Sequence, residues 1–341
     1  MDNPWLEKTG LLWLHATDGE NDFAEKVEHG VAVRDSVRTL ATQARLGYCW
    51  SHLASLFPQR IEFARAAEKS FRFLRYAFTE SDGDFRIYDQ SFYLLFMAWY
   101  YRVTNDPTAI RLLMSRYSEV QRHFDDAGVG GFGSQPPGMR SHNPYMHLLE
   151  ALLATFRATK DEYWLSEALK IEDLFFLRLL DGEKQVVFEF LNSDWSVAGD
   201  GRVEIGHQLE WSTLLLELNE IASKPRLVAA AGFLYEFALR YGFENGAVID
   251  AVDASGRPMD RKKLLWSQME AAKHFSVRAR MLHDQTARAR AVAQWANIRQ
   301  GFLHANGWTW HNRIAARGAP VEEPSVARLL YHVVTAAAEG G

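Results

Sequence analysis

The sequence predicts an all-α fold of paired antiparallel helices, and three observations carry that prediction. Apolar residues recur at i, i+3, i+4 and i+7 in eleven segments of 14 residues or more. The links between these segments alternate between short and long. The pairs so defined begin near residues 35, 87, 143, 204, 261 and 325, a repeat of about 55 to 60 residues with no obvious sequence repetition. Six such pairs can close into a ring of inner helices wrapped by outer ones, an (α/α)6 barrel whose long loops all emerge on one face, where ligands gather.

In chain order the helical segments are Arg38–Ser55, Glu62–Ala77, Tyr88–Arg102, Pro107–His123, Pro144–Thr159, Glu162–Leu179, Ile205–Ile221, Arg226–Arg240, Lys262–Arg280, Asp284–His304 and Ser325–Ala338. Pro107 and Pro144 fall at first-turn positions, and Ser325, following a proline, reads as an N-cap. A twelfth helix has to come from the stretch around Trp5–His15, so the first helix is expected to be short or incomplete. The long connections are Thr79–Ile87, Asp125–Asn143, Asp181–Glu204, Tyr241–Arg261 and Ala305–Pro324. Two of them carry strand-like alternation, at Val186–Leu191 and Ala247–Val252, and are expected to form hairpins at the mouth. No linker composition interrupts the chain, which reads as one domain over residues 1–341.

Composition bounds the function. Apolar residues make up 48% of the 341 positions and charged residues 24%, which excludes disorder and coiled coil. The net charge of −5 is spread along the chain without a basic stripe, so no nucleic-acid partner is expected. A single cysteine, Cys49, excludes an internal disulfide and a multi-cysteine metal cluster and fits a reducing compartment. The N-terminal residues lack the apolar core of a signal peptide, and no apolar run is long enough to span a bilayer. A cytoplasmic protein without a membrane partner is expected. The 11 Trp, 12 Tyr and 21 Phe suggest a large aromatic core or a pocket that stacks flat ligands.

Reactive side chains recur where the first helix of each pair begins. Arg45 lies in LATQARLGY, Tyr88 and Asp89 in YDQSF, Asn143, His147 and Glu150 in HNPYMHLLEA, and His207 and Glu210 in EIGHQLEW. Trp266 and Glu270 lie in LLWSQMEA, and His332 in LLYHVVTAAA. If the ring closes, these groups share one funnel. His147 with Glu150, and His207 with Glu210, are i,i+3 pairs on one helical face, so each carboxylate can orient an imidazole or raise its pKa. Each feature also has a plainer reading: an inward histidine is usually a satisfied core group, Asp89 can serve as a helix cap, and Arg140 and Arg313 can be solvated loop charges. The two pairs also have a spacing found in metal sites, yet nothing fixes a coordination shell, and neither metal nor cofactor is expected.

NPYMHLLEALLA, EIGHQLEWSTLLLEL, LLWSQMEAA and YHVVTAA, with QARLGY and YDQSF before them, occur in an order and spacing that resembles the N-acylglucosamine 2-epimerase superfamily over roughly residues 34 to 338. NPYMHLLEA and GHQLEW look closest to its mannose-isomerase-like branch. The resemblance implies an (α/α)6 barrel and metal-free proton transfer on a reducing mono- or disaccharide. By that resemblance His207 and His332 are the acid/base pair, His147 assists ring opening, Glu210 supports His207 and Arg45 binds the sugar oxygens. Asn143, Tyr88, Trp266 and Glu270 would be substrate contacts. The C2 hydrogen of an aldose is acidic only after the ring opens. Its removal gives an enediolate, and the returning proton at C1 makes the ketose, or at the opposite face of C2 the epimer.

Two departures stand out. Tyr145 occupies a place where relatives commonly carry a further histidine, and the short N-terminus leaves the barrel imperfectly closed or covered there by a partner chain, a homodimer being one such arrangement. Aldose–ketose isomerisation of a mannose-type sugar is the leading expectation and C2 epimerisation the runner-up. The alternatives from other classes are a glycoside hydrolase or lyase using Asp89, Glu150, Glu210 or Glu270, and a sugar-binding protein without catalysis.

Overall fold

The computed structural model describes residues 3–33, 37–77, 86–123 and 139–340. Their helices are α1 (Pro4–Thr17), α2 (Leu40–Leu56), α3 (Ile61–Ala77), α4 (Ile87–Thr104), α5 (Pro107–Arg122), α6 (Asn143–Thr159), α7 (Glu162–Leu174), α8 (Ile205–Ala222), α9 (Pro225–Tyr241), α10 (Leu265–Met281), α11 (Gln285–Gly301) and α12 (Leu330–Gly340). A π-turn over Phe175–Leu179 follows α7, and a 3-10 turn over Ala327–Leu329 precedes α12. Every segment expected to be helical is helical over most of its length. Most of the long connections Thr79–Ile87 and Asp125–Asn143 lies outside the described residues.

Packing divides the chain into two compact units. The first comprises Met1–Gly133, Asn143–Asp173 and Pro324–Val334; the second comprises Ser134–His142, Leu174–Glu323 and Thr335–Gly341. In the first unit α4 packs between α2 and α6, with α3 laid on α2 and α5 on α4. In the second unit α8 and α10 lie side by side, α9 covers α8, and α11 covers α10. The division into inner and outer helices follows from their sequences. α5 buries a single stripe, Ala109, Leu113, Tyr117 and Val120, and turns charge outward. α4 and α8 are buried on almost every face, so their polar residues sit where burial demands partners. Fully buried side chains such as Phe96 and Leu209 each stabilise the fold by about 1.5–3 kcal/mol relative to exposure.

One device recurs near the start of three inner helices. Gln43 of α2 brackets the backbone of Phe23, accepting its N–H at 3.1 Å and donating to its carbonyl at 2.8 Å. Gln208 of α8 does the same to Val187 (2.9 and 2.8 Å), and Gln268 of α10 to Val248 (2.8 and 2.8 Å). Each buried amide thereby satisfies a strand-like segment some twenty residues earlier and fixes it against the helix. Arg45, His207 and Trp266 lie within two residues of these anchors, so their backbone positions are set on both sides.

Several local expectations need correction. The first helix, expected to be short or incomplete, is a capped helix of 14 residues, with Asn3 Oδ1 accepting the N–H of Leu6. Ser325 is not an N-cap: Ser325–Val326 is extended and pairs antiparallel with Lys26–Val27, and its backbone groups go to that ladder. For the same reason α10 begins three residues later than expected, because Lys263–Leu264 pairs with Arg313–Ile314. The alternating segments do enter hairpins, each with the strand just before it. Val186–Val187 pairs with Leu180–Asp181, and Phe190–Asn192 with Met139–Ser141. Ala247–Val248 pairs with Phe243–Glu244 across Asn245–Gly246, both at positive φ as a two-residue I′ link requires. Ala251–Val252 lies between Val203–Glu204 and Pro258–Asp260. Among the described residues no helix is long and apolar enough to cross a membrane.

Candidate active site

Each unit carries its own group of candidate residues. In the first unit Arg45 comes from α2, Tyr88 from α4, Asn143, His147 and Glu150 from α6, and Tyr331 and His332 from the first turn of α12. The Arg45 guanidinium is buried over the Phe92 ring, 3.9 Å from its centroid, and donates to the Tyr88 hydroxyl at 2.5 Å. Its aromatic surround keeps water away, so the charge acts through a low dielectric. The His147 ring packs against Phe92 and Tyr88, with centroids 4.4 and 5.3 Å away. His147 Nδ1 lies 3.3 Å from Glu150 Oε2, as the i,i+3 spacing anticipated, and the Tyr331 hydroxyl donates to Glu150 Oε1 at 2.5 Å. The His332 ring stands edge-on to Tyr331 at 4.7 Å. Asn143 opens α6 one turn before His147.

Burial dominates the protonation of His147. Desolvation of the charged ring outweighs the attraction of Glu150, the Arg45 charge adds to it, and the pKa is pushed down to about 4. His147 is therefore a neutral imidazole at physiological pH. Asp89 is a third-position residue of α4, not its N-cap, and pairs with Arg86 at 2.8 Å.

In the second unit His207 and Glu210 come from α8, and Trp266, Glu270 and Lys273 from α10. The His207 ring lies 4.7 Å from the Trp266 ring. That approach needs Gly206, where a Cβ would collide with the Trp266 indole. The partner of His207 Nδ1 is a residue the sequence reading did not name: Glu189 Oε2, at 2.8 Å, with Glu204 Oε2 further off at 3.4 Å. Glu210, expected to support His207, acts on it through its charge. The same Glu189 oxygen lies 3.1 Å from His142 Nε2, and Trp211 Nε1–H donates to His142 Nδ1 at 3.0 Å. Glu189 itself is held by its backbone N–H donating to the Arg202 carbonyl at 2.9 Å. Arg202 also reaches Glu204 at 2.9 Å and Asp250 at 2.5 Å.

Burial disfavours a charged His207, but the charge and hydrogen bond of Glu189, with Glu204 and Glu210 behind it, win and push its pKa up to about 10. Burial likewise raises the Glu189 carboxyl, and the His207 and His142 rings overrule it, holding the group well below the usual carboxylate range. His142 goes the other way, because burial lowers its pKa more than Glu189 restores it. Glu270 and Lys273, both buried, face each other at 3.5 Å, and carboxylate oxygens of Glu210 and Glu270 lie within 4.8 Å of each other. His142, Glu189 and His207 could supply three metal ligands within 4.8 Å of one another. An ion among them would displace the protons that both rings place on Glu189. Arg140, read as a solvated loop charge, is buried over Trp195 and donates to the Ser193 carbonyl at 3.0 Å. His274 is a satisfied core histidine: burial lowers its pKa to about 3, and Thr213 Oγ1 lies 3.1 Å from Nδ1.

Local spacing could reveal Glu150 beside His147, but not Glu189, which lies 18 residues before His207. The trace it left is a charge inside the apolar run VVFEFL. His142 stood next to the motif NPYMH without a partner in sequence.

Comparison with known proteins places the chain in a family. The chain is 30% identical over 271 residues to a mannose-6-phosphate isomerase of Rhizobium meliloti, covering 75% of this chain and 69% of that one. A crystal structure of a D-mannose isomerase superposes with a TM-score of 0.88 at 19% identity, over 98% of this chain and 96% of the other. A cellobiose 2-epimerase from Bacillus thermoamylovorans gives 0.84 at 17% identity, over 98% and 99%. These likenesses show the (α/α)6 fold expected from the helix pairs. The profile of the family described as N-acylglucosamine 2-epimerase matches residues 23–336. The chain belongs to that N-acylglucosamine 2-epimerase family and is an enzyme of the isomerase and epimerase class.

Proposed function

We propose that this enzyme moves a proton between C1 and C2 of a free reducing sugar through an enediolate, with mannose–fructose-type isomerisation as its reaction and C2 epimerisation as the alternative outcome. The observation that carries the reading is the contrast in surroundings of two buried candidate histidines. His207 Nδ1 lies 2.8 Å from Glu189, which against burial pushes its pKa up to about 10, whereas burial pushes that of His147 down to about 4, a separation that suits acid–base catalysis. Ring opening takes a proton from the anomeric hydroxyl and places one on the ring oxygen, and neutral His147 suits the first of these. His332 then removes the C2 proton. The electron pair shifts into the C1–C2 bond, and Arg45 stabilises the oxyanion that forms. A proton delivered to C1, with the O2 proton passing to O1, gives the ketose; one delivered to the opposite face of C2, which restores the C1 carbonyl, gives the epimer. His207, which begins with its proton on, is the donor, while Glu210 supports it by charge. Tyr88, Asn143, Trp266 and Glu270 contact the substrate.

The name of the Rhizobium relative makes a 6-phosphorylated hexose a second substrate to try beside mannose. The single thiol, buried Cys49, supports work in the cytoplasm. A glycosidase reading would use the neighbouring Glu210 and Glu270, but it would leave His207 and His332 without a role. The test is proton NMR in D2O with mannose, mannose 6-phosphate, N-acetylmannosamine and cellobiose in turn. Fructose carrying deuterium at C1 establishes isomerisation, and glucose deuterated at C2 establishes epimerisation. Cleavage of cellobiose with no exchange in any sugar would refute the proposal.

A further inference from the structure

The protons of the group behind His207 can be assigned from chemistry alone. An indole N–H is a donor only, so His142 Nδ1, which receives it at 3.0 Å, carries a lone pair. His142 is then neutral with its proton on Nε2, and it donates that proton to Glu189 Oε2 at 3.1 Å. A carboxylate accepts only, so the 2.8 Å contact from the same oxygen to His207 Nδ1 is a donation from His207. All four side chains are buried, which removes water as a competing partner. Phe175 packs on the Trp211 ring at 4.7 Å and holds the indole in place.

We propose that Trp211, His142 and Glu189 are positioning residues for His207: the indole N–H fixes the tautomer of His142, His142 and His207 share one carboxylate oxygen, and the proton that His207 exchanges with substrate is confined to Nε2. The relay rests on the reading of His207 as a proton-transfer group. His142 has a definite task in it. Its donation holds the Glu189 carboxylate toward His207. The direction of the chain matters, because a His142 protonated at Nδ1 would present a lone pair to Glu189 and repel it. The low-dielectric surround strengthens each link and makes an unmatched one costly.

The test combines ring-nitrogen NMR of protein labelled with 15N-histidine with kcat and KM on D-mannose, for the full-length chain and its Trp211→Phe, Glu189→Gln, Glu189→Asp and His207→Ala variants. In the parent, His142 gives the signature of an Nε2–H tautomer and His207 that of an imidazolium at pH 8. Trp211→Phe, which keeps the ring and removes only the N–H, lets His142 average between tautomers. It lowers kcat about tenfold with KM little changed, the scale on which outer partners of a working histidine act. Glu189→Gln removes the imidazolium signature of His207 and lowers kcat by about 10²–10⁴, and Glu189→Asp restores part of both. Parent ring signals at His207 in Glu189→Gln, or a parent kcat there, overturn the relay. Full turnover by His207→Ala removes His207 from the chemistry whatever Glu189 does. An inactive His207→Ala beside a fully active Glu189→Gln overturns the relay alone.

Discussion

His147 and His207 occupy equivalent places, early on an inner helix with a glutamate three residues on, yet they rest in opposite protonation states. His147 has its carboxylate at 3.3 Å from Nδ1 and is still neutral, with a pKa near 4. There burial outweighs Glu150, which is shared with the Tyr331 hydroxyl, and the Arg45 charge opposes a proton on the ring. His207 draws its 2.8 Å partner from a loop residue 18 positions earlier and adds Glu204 and Glu210, so that burial loses and the pKa reaches about 10. The shared local motif therefore does not fix the role of either ring. What fixes it is the sign of the charge that tertiary structure sets around a buried imidazole.

Removing either half of the proposed acid–base pair has the largest expected effect. His207→Ala and His332→Ala should fold normally by circular dichroism and lose about 10²–10⁴ in kcat. A parent rate in either would end its assignment. Next in size is the response of the two rings to their carboxylates. In ring-nitrogen titrations, Glu189→Gln should lower the His207 pKa, whereas Glu150→Gln should leave His147 neutral at pH 7, since burial rather than Glu150 decides its state. A charged His147 in Glu150→Gln would contradict the comparison.

Stability should show the same contrast. A pKa raised to about 10 means that His207 stabilises the fold fully below its unfolded value of about 6.5 and loses that contribution as pH climbs toward 10. His147 and His274, lowered to about 4 and 3, act in the other window. The unfolded chain takes up their protons first as pH falls below about 6.5, so stability drops toward acid. Thermal unfolding across pH should therefore peak near neutrality, and His207→Gln should flatten the alkaline side while leaving the acid side intact. A smaller effect is expected from Gly206→Ala. Its Cβ pushes the Trp266 indole off His207, and KM should rise several-fold while the His207 titration changes little. Tyr331→Phe is the mildest, costing about 1 kcal/mol of stability for one lost hydrogen bond.

Much of this was legible in the sequence because it depends on local periodicity. The inner helices declared themselves by apolar spacing, and their first two turns held Arg45, His147, His207 and Trp266. What could not be read depends on contacts between distant segments. Ser325 looks like an N-cap until Lys26–Val27 pairs with it, and Lys263 looks helical until Arg313–Ile314 arrives. Glu189 and His142 have no periodic relation to His207; they flank the strands Phe190–Asn192 and Met139–Ser141, whose pairing brings the two segments together. Arg140 is likewise a surface charge in sequence and a buried one once Trp195 covers it.

The assignment of His332 as base and His207 as donor is tested most directly by following the C2 hydrogen of mannose in D2O with the two alanine variants. The account predicts that His207→Ala still washes deuterium into C2 without accumulating product, because His332 can remove a proton and return a deuteron to the same face. His332→Ala should show neither wash-out nor product. Wash-out that survives in His332→Ala, or disappears only in His207→Ala, would contradict the assignment and reverse the roles.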